Sequence, residues 1–333
     1  MIAKNLPTTR HCPTDILQTG FIQIYRKNTD AIRAELSAGL LAPRAHTSPK
    51  YLYDALGSKL FSAICELPEY YPTRTEAAIF EQHLYDIARS TGKGSTLIDL
   101  GAGNCEKAER LFHALQPAQY VPIDISVEFL REAVEYLRYR YPHIRMCGLG
   151  MDFSSSLDLP ETLHRERRLF FFPGSSIGNF SPDHAAAFLA RIRDACNADG
   201  GLLIGVDLLK GMEILHPAYD DAIGLTAAFN LNLLRHLNAL LGTDFDARDW
   251  RHRCRFNLEE SCIEMHLDAV RDVTVRWEEG ERHFRPGESI HTESSYKYSR
   301  EKFLQLLERA GFSQIRTWTD PQQWFMVCHA RAG

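Results

Sequence analysis

The chain has 333 residues, a net charge of −5, a sequence pI of about 6.3, and the apolar and charged fractions of an ordinary globular protein. A mildly acidic surface gives no electrostatic reason to bind nucleic acid or an anionic membrane, and no apolar run approaches the roughly 18 residues that a spanning helix requires. The eight cysteines are dispersed without a C-x-x-C pair and there is no H-E-x-x-H motif, so we expect a reduced, cytoplasmic protein without a metal site.

The N-terminal half changes its pattern near residue 95. Residues 14–45 and 50–90 have apolar side chains at helical spacing and predict helices, with breaks at Pro68 and Pro72. Short apolar runs then alternate with helical segments. The runs that predict strands are 96–103, 120–126, 168–176 and 201–209. This alternation is typical of β-α-β units, and it predicts a parallel sheet with helices on both faces.

The C-terminal half predicts an insertion into this sheet. Residues 211–265 are predicted to be mostly helical and are followed by short strand-like runs, and a helix at 301–311 precedes two final strands. We therefore predict an α/β protein with a doubly wound sheet and a second α+β lobe, which the N-terminus and the insertion form together. The sheet domain would comprise 74–210 plus 296–333, and the second lobe 14–73 plus 211–295.

The strongest local motif is IDLGAGNCEK at 98–107, where the first predicted strand of the alternating region ends and a helix begins. Open α/β sheets bind ligands at this position, and Gly101 and Gly103 allow a sharp turn and a close approach to a ligand. Glu106 occupies the position of the third glycine of a dinucleotide motif, where a carboxylate disfavours a pyrophosphate. This disfavours a dehydrogenase. S-adenosylmethionine carries a sulfonium cation and no phosphate, and it meets no such objection.

Two further features, together with the alternation of strands and helices, favour the same methyl donor over a plain strand-to-helix turn. Asp124 ends the next strand, about twenty residues on, where an acid accepts hydrogen bonds from ribose hydroxyls. Asp152 and Phe153 follow another strand and can offer an acceptor for the adenine amine and an apolar wall. Lys107 is either a solvated helix residue or the partner of the donor's carboxylate. The sequence thus predicts a methyltransferase that depends on S-adenosylmethionine.

Three other stretches, 51–76, 171–182 and 291–299, are hard to explain by packing alone. The first crowds four tyrosines around polar turns, and the second carries a polar loop just past a predicted strand. The third places Glu293 and Ser295 two residues apart, so in an extended segment their side chains share one face.

These stretches resemble the histidine N-alpha-methyltransferase family of ergothioneine biosynthesis. The similar motifs are LPEYYPTRTEA, the loop at 100–107, GSSIGN, AYDDAIGLTAAFN and IEMHL, and the resemblance runs from about residue 30 to 330. It implies a Rossmann-like methyltransferase domain with a second lobe, and we expect a monomer. The sequence departs from the family pattern at Asn104, Cys105, Ala108 and Ser294, which concerns packing and the donor loop more than the imidazole contacts.

The resemblance also implies roles for individual residues. Donor binding falls to Gly101, Gly103, Lys107, Asp124, Asp152 and Phe153. Asn179 and Tyr219 would hold the substrate carboxylate, and Gly174 would line the same pocket. Tyr70, Glu293 and Ser295 would hold the imidazole, with Met265 as a packing wall. Tyr53 would lie near the amine, and Tyr53 and Asn179 are the expected catalytic residues.

The chemistry is compatible with this assignment. An α-amino group has a pKa of about 8, so its deprotonation at pH 7 costs only about 1 kcal/mol and requires no strong base. We therefore predict methylation of the α-amino group of L-histidine, three times, to the trimethylated product. Two alternatives stay open: a related enzyme that acts on another acceptor, such as a tryptophan derivative or a histidine thioether, and a non-catalytic binding protein with the same fold.

Overall fold

The computed structural model describes residues 20–24, 28–197 and 199–333. In chain order, the strands of these residues are β1 (Phe21–Gln23), β2 (Thr96–Leu100), β3 (Gln119–Asp124), β4 (Arg145–Met146), β5 (Gly148–Gly150), β6 (Arg168–Phe172), β7 (Gly201–Asp207), β8 (Trp250–Asn257), β9 (Cys262–Ala269), β10 (Val273–Trp277), β11 (Gly280–Phe284), β12 (Ser289–Tyr296), β13 (Ser313–Thr319) and β14 (Phe325–Arg331). The helices are α1 (Thr29–Leu41), α2 (Ala55–Cys65), α3 (Tyr71–Thr91), α4 (Glu106–Glu109), α5 (Phe112–Leu115), α6 (Val127–Arg140), α7 (Pro182–Ala195), α8 (Met212–Tyr219), α9 (Leu225–Leu241) and α10 (Arg300–Arg309).

The main sheet has the order β1-β5-β3-β2-β6-β7-β14-β13 within the described ranges, and β4 pairs with β3. Its pairs are parallel except for those of β14, which runs antiparallel to both β7 and β13. The connections reverse direction between β2 and β6, so the loops that follow these two strands lie side by side. Such a switch point is where open α/β sheets bind ligands.

The sheet forms because its strands are continuous apolar runs. Every residue of β2, β6 and β7 is buried. Alternate side chains enter opposite cores: Phe170 and Phe172 pack in one cluster, whereas Phe171 packs in another on the other face of the sheet. The predicted α/β class, with a mostly parallel sheet covered on both faces, is thus confirmed.

The rest of the chain builds a second core. Strands β8, β9 and β12 form an antiparallel sheet, β10 pairs with β11, and helices α1, α2, α8 and α9 pack with them. Leu36, Leu234, Trp250 and Phe284 are among the buried side chains of this core. It has the α+β composition expected of the second lobe, although the residue boundaries of the two parts stay a prediction.

Two predicted elements are wrong. The helix predicted from residue 14 does not extend through Phe21–Gln23, which is a strand paired with β5 in the main sheet, where Phe21 packs over Gly148. A short apolar run has no reliable period, so helix and strand cannot be separated there; residues 14–19 and 25–27 lie outside the described ranges. The helical prediction for 211–265 also fails at Trp250–Asn257, a strand that buries alternate residues.

A smaller correction concerns Pro72. It does not break a helix but lies in the first turn of α3, where a proline costs no hydrogen bond. In the part of the chain that the structure describes, no helix is both long enough and apolar enough to cross a bilayer.

Candidate active site

The loop that follows β2 has the backbone geometry its glycines predicted. Gly101 and Gly103 have φ angles of 72° and 53°, a region that glycine adopts without strain. The Gly101 N–H donates to the carbonyl of Ile123 (2.9 Å), which ties the loop to β3. A Cβ atom on Gly103 would meet no atom within 4 Å, and one on Gly101 would lie 3.7 Å from the Phe153 ring. Open space therefore adjoins the loop, with Phe153 at its edge.

Asp124 organises the same edge of the sheet. Its Oδ2 accepts the Gly103 N–H (2.9 Å) and its Oδ1 accepts the Ser126 N–H (2.8 Å). Each oxygen of a carboxylate can accept more than one hydrogen bond, so this half-buried group can still accept from a ribose diol. A carboxylate beside the glycine loop suits a cofactor that carries a cation and no phosphate. The donor set therefore fits S-adenosylmethionine.

Asp152 and Phe153 lie just past β5, next to that edge. Asp152 Oδ1 accepts the backbone N–H of Ser154 (3.0 Å), and its Oδ2 lies 3.8 Å from the ammonium of Lys50. The Phe153 ring packs edge to face against Phe172. The structure thus brings both residues to the space beside Gly101, as the sequence predicted, with one carboxylate oxygen of Asp152 held by its own loop.

Lys107 has a partner that the sequence did not suggest. Its ammonium lies 2.7 Å from Glu76 Oε2, and Glu76 Oε1 accepts the N–H of Gly174 (2.7 Å). Glu76 belongs to α3 and is 1% exposed, so it joins this helix to the loops after β2 and β6. Gly174 has a φ of 74°, and a Cβ there would lie 2.9 Å from the Lys107 ammonium. Glycine at 174 therefore makes room for Lys107.

Glu293 and Ser295 share one buried face of β12, as their spacing predicted. They are 7% and 6% exposed, whereas Ser294 between them is half-buried and faces His291. Met265 of β9 pairs directly with Glu293 and is also buried, so it lies beside the carboxylate. The pairing is irregular between His291 and Glu293.

A buried ammonium lies at the end of this face. Lys297 donates to Ser295 Oγ (2.8 Å) and to Tyr219 Oη (2.6 Å), and these two hydroxyl oxygens are 2.9 Å apart. We call Lys297, Tyr219 and Ser295 the Lys297 triad. The same ammonium lies 2.8 Å from Asp207 Oδ2 at the end of β7. Tyr219 is thereby placed beside Ser295, so the predicted carboxylate and imidazole contacts are neighbours.

The Glu293 carboxyl has a raised pKa and one oxygen without a hydrogen-bond partner. Burial raises its pKa to about 7, and the positive charge of Lys297 opposes that increase. Its Oε2 has no hydrogen-bond partner although it is buried, which leaves an acceptor that a bound donor group would satisfy. A buried carboxylate without its partner is unfavourable, so this atom is expected to face a ligand.

Aromatic side chains surround the carboxylate. The Tyr70 ring packs edge to face on Tyr219, with the ring centroids 6.3 Å apart, and Tyr53 packs edge to face on Phe61 and Phe229. Burial raises the pKa of both Tyr53 and Tyr70 well above 10, and the negative charge of Glu293 adds to this effect. Both phenols therefore remain protonated hydrogen-bond donors.

Tyr53 also connects the two halves of the site. Burial raises its pKa, and the charges of both Glu293 and Asp124 add to this effect, so the phenol lies within electrostatic reach of both carboxylates. Ser126 Oγ donates to the Tyr53 carbonyl (3.3 Å), which holds the backbone at Tyr53 against the loop that follows β3.

Comparison with known proteins identifies the family of this chain. Residues 32–332 match the profile of a family described as histidine-specific, SAM-dependent methyltransferases. The chain belongs to this family. It is 40% identical over 298 residues to the histidine N-alpha-methyltransferase of Mycolicibacterium smegmatis, covering 88% of this chain and 92% of the relative. It is 36% identical over 296 residues to that of Mycobacterium tuberculosis, covering 87% and 91%.

A fungal relative extends the comparison. Ergothioneine biosynthesis protein 1 of Neurospora crassa is 33% identical over 278 residues, covering 80% of this chain and 31% of that longer protein. The resemblance inferred from the motifs is therefore confirmed, and this member of the histidine-specific methyltransferase family is an enzyme that uses S-adenosylmethionine. Among the described residues, no group of three or more His, Cys, Asp or Glu side chains is placed to hold a metal ion.

Asn179 lies at the end of a short 3-10 helix, Ser176–Asn179, and is half-buried. The turn approaches β12 so closely that a Cβ on Gly178 would lie 2.9 Å from the Tyr296 carbonyl oxygen. The backbone N–H of Asp207 donates to Ser175 Oγ (2.9 Å), which holds the start of this turn against β7. Asn179 thus lies in a turn that packs against β12, the strand that carries Glu293 and Ser295. Its role in this family member stays a prediction.

The sequence did not reveal Glu76, Asp207 or Lys297 as parts of the site. A signal existed for two of them. Lys297 continues the two-residue alternation of Glu293 and Ser295, and Asp207 ends an apolar strand at the ligand-binding edge of the sheet. Glu76 lies within a long helix pattern, where a glutamate is ordinarily solvated.

Proposed function

We propose that the protein transfers methyl groups from S-adenosylmethionine to the α-amino group of L-histidine and yields the trimethylated amino acid. The single observation that carries this proposal is the buried Glu293 carboxylate, whose Oε2 has no partner, beside the hydroxyls of Ser295 and Tyr219. Imidazole has one N–H donor and one bare nitrogen, which such an acceptor and such a hydroxyl complement. An amino acid without an N–H at this position would leave the carboxylate unpaired, which costs orders of magnitude in kcat/KM.

In this proposal the chain positions two partners rather than supplying a strong base. S-adenosylmethionine supplies an already activated methyl group. Gly101, Gly103, Lys107, Asp124, Asp152 and Phe153 would hold it at the ends of β2, β3 and β5. Tyr70, Glu293 and Ser295 would hold the imidazole against Met265, while Tyr219 and Asn179, next to Gly174, would hold the carboxylate.

The amine would then lie near Tyr53, between the two carboxylates. Because the phenol of Tyr53 stays protonated, it acts as a donor that orients the substrate or a water molecule, not as a base. An α-ammonium loses its proton to water at a cost of about 1 kcal/mol near neutral pH, so orientation is the main requirement. The surrounding aromatic rings also tolerate the growing positive charge of a repeatedly methylated amine.

Mass spectrometry tests the proposal directly. The purified protein is incubated with S-adenosylmethionine and with each common amino acid, tryptophan derivatives and histidine thioethers in separate reactions. We expect mass increases of one, two and three methyl groups on histidine alone. Methylation of a different acceptor would show that the protein is a related enzyme with another substrate. If no acceptor were methylated although the protein still bound S-adenosylhomocysteine, a non-catalytic binding protein would be supported.

The binding of the trimethylated product should depend on pH. This ligand has no titrating amine, so the change comes from Glu293 and from the ligand ring, whose ordinary pKa is about 6.5. Because the pKa of Glu293 is about 7, the carboxylate takes up a proton as the pH falls from about 8 to about 6. Affinity should therefore decrease toward acid pH.

Calorimetric titration of the wild type and of Glu293→Gln separates the two groups. The variant carries no titrating carboxyl at this position, so its affinity should follow the ligand ring alone and its transition should move to lower pH. Identical pH profiles for the two proteins would contradict the role of Glu293 as the ionised acceptor.

A further inference from the structure

All three N–H groups of the Lys297 ammonium have an acceptor within the protein. The side chain is 1% exposed, and its ammonium contacts Asp207 Oδ2, Tyr219 Oη and Ser295 Oγ at 2.8, 2.6 and 2.8 Å. A lysine ammonium has three N–H donors and no acceptor, so each of its three protons is assigned. Both hydroxyl oxygens of the Lys297 triad are therefore hydrogen-bond acceptors from the same cation.

This arrangement fixes where the hydroxyl protons go. Tyr219 Oη and Ser295 Oγ are 2.9 Å apart, so one hydroxyl donates to the other. The second hydroxyl proton has no acceptor within the triad and must donate to a group outside it. When Tyr219 donates to Ser295, the Ser295 O–H is the one net donor that the triad presents beside Glu293, which itself presents an acceptor while it is ionised. Tyr219 then lies next to the substrate carboxylate without donating to it, and Asn179 is left to donate. One donor and one acceptor side by side match a neutral imidazole, whereas an imidazolium would bring two N–H donors.

The charge of Lys297 is secured by Asp207. Burial disfavours both ions, but the Asp207 charge outweighs burial at Lys297 and raises the pKa of this ammonium above its ordinary value. The two ammonium groups of Lys297 and Lys210 likewise outweigh burial at Asp207 and lower its pKa. The cation therefore persists at neutral pH, and so does the direction of its hydrogen bonds.

We propose that Lys297 is a positioning residue that orients the hydroxyls of Ser295 and Tyr219 toward the substrate and so selects the neutral imidazole ring. The proposal rests on histidine as the substrate. Lys297 acts through its two neighbours rather than on the reacting atoms, so its loss should affect recognition of histidine much more than binding of the methyl donor.

Lys210 offers a matched control. Its ammonium also contacts Asp207, at 2.5 Å from Oδ1, and it is nearly as buried as Lys297. Its other hydrogen bonds go to the Tyr71 hydroxyl (2.8 Å) and to the Leu208 carbonyl, and neither group belongs to the triad. Lys210→Met therefore removes a buried positive charge from the same carboxylate and leaves the hydroxyls of Ser295 and Tyr219 bonded to their cation.

The experiment compares Lys297→Met with Lys210→Met in steady-state kinetics, with calorimetric binding of S-adenosylhomocysteine as a second measurement. For Lys297→Met we expect KM for histidine to rise at least about tenfold, since the hydroxyls lose their orienting donor. The dissociation constant for S-adenosylhomocysteine should stay within about twofold in both variants, and KM for histidine within about threefold in Lys210→Met. Equal effects of the two substitutions on KM, or an unchanged KM in Lys297→Met, would overturn the proposal.

A pH profile separates positioning from general loss of structure. Among the described residues, Lys297, Tyr53 and Tyr70 interact electrostatically with the Glu293 carboxyl, and Tyr219 lies nearby in the triad. The charge of Lys297 lowers the pKa of this carboxyl. Lys297→Met should therefore shift the acid limb of histidine binding to higher pH, and Lys210→Met should not. An unshifted limb in Lys297→Met would count against the proposal.

A second variant covers the case in which Lys297→Met does not fold. In Lys297→Met combined with Asp207→Asn and Lys210→Met all three charges of the buried cluster are removed together, and such replacements often retain the fold. The triple variant should show the same rise in KM, and normal histidine affinity in it would refute the proposal. If the wild type itself methylates no histidine, the proposed function fails instead, which the mass spectrometry detects independently.

Discussion

Replacing Glu293 by alanine is expected to lower kcat/KM for histidine by roughly 100-fold to 1,000-fold, which corresponds to about 3–4 kcal/mol. The carboxylate is buried and is the acceptor we assign to the imidazole N–H, so the variant would bury that donor without a partner. Glu293→Gln should cause a smaller loss, of about tenfold, because the amide oxygen still accepts a hydrogen bond but without charge.

Binding of S-adenosylhomocysteine gives the necessary second measurement, and it should change by less than about twofold in both variants. Glu264→Ala is a suitable control, because Glu264 lies in the same sheet opposite Ser294 and its carboxylate bonds to Asn257 and His266. Its kcat/KM for histidine should stay near that of the wild type. If Glu293→Ala weakened the donor and the acceptor equally, the assignment of Glu293 to the substrate would be wrong.

Replacing Asp124 by alanine is expected to weaken binding of S-adenosylhomocysteine by roughly 30-fold to 300-fold. The carboxylate would accept the ribose hydroxyls, and it also holds the Gly103 and Ser126 N–H groups that shape the loops after β2 and β3. The variant loses both contributions. Asp124→Asn retains one oxygen for the Gly103 N–H and should show an intermediate loss.

Isothermal titration with S-adenosylhomocysteine measures this effect, and Asp158→Ala serves as control. Asp158 lies in the exposed loop beyond Phe153, where its carboxylate accepts only a local hydrogen bond from Ser156. Its removal should change the dissociation constant by less than about twofold. An Asp124→Ala protein that binds the donor product as tightly as the wild type would show that the ribose is held elsewhere.

The local signals in the sequence were sufficient for much of the fold and for part of the site. The strands β2, β3, β6 and β7 were predictable because each is a short apolar run that ends in glycine, aspartate or another turn residue. Gly101, Asp124 and Glu293 were predictable for a related reason: each lies at a position whose chemistry depends on its own strand and on the residues next to it.

Two secondary-structure predictions failed because the deciding contacts are not local. Phe21–Gln23 is a strand because the edge of β5 offers it a partner more than 120 residues away, whereas the run itself is too short to show a period. Trp250–Asn257 alternates buried and exposed residues, but it follows a long helix, and only its pairing with β9 shows that the helix has ended.

The sequence by itself determined the fold class, the turn geometry of the glycine loop after β2 and the pair of polar residues on one face of β12. Only the tertiary structure revealed that Glu76 holds Lys107, and that Asp207 and Tyr219 join Lys297 at the end of that face. The physical reason is distance along the chain. A glycine turn or a strand period is encoded by adjacent residues, whereas a buried ion pair depends on two segments that meet only when the sheet and the second core pack together.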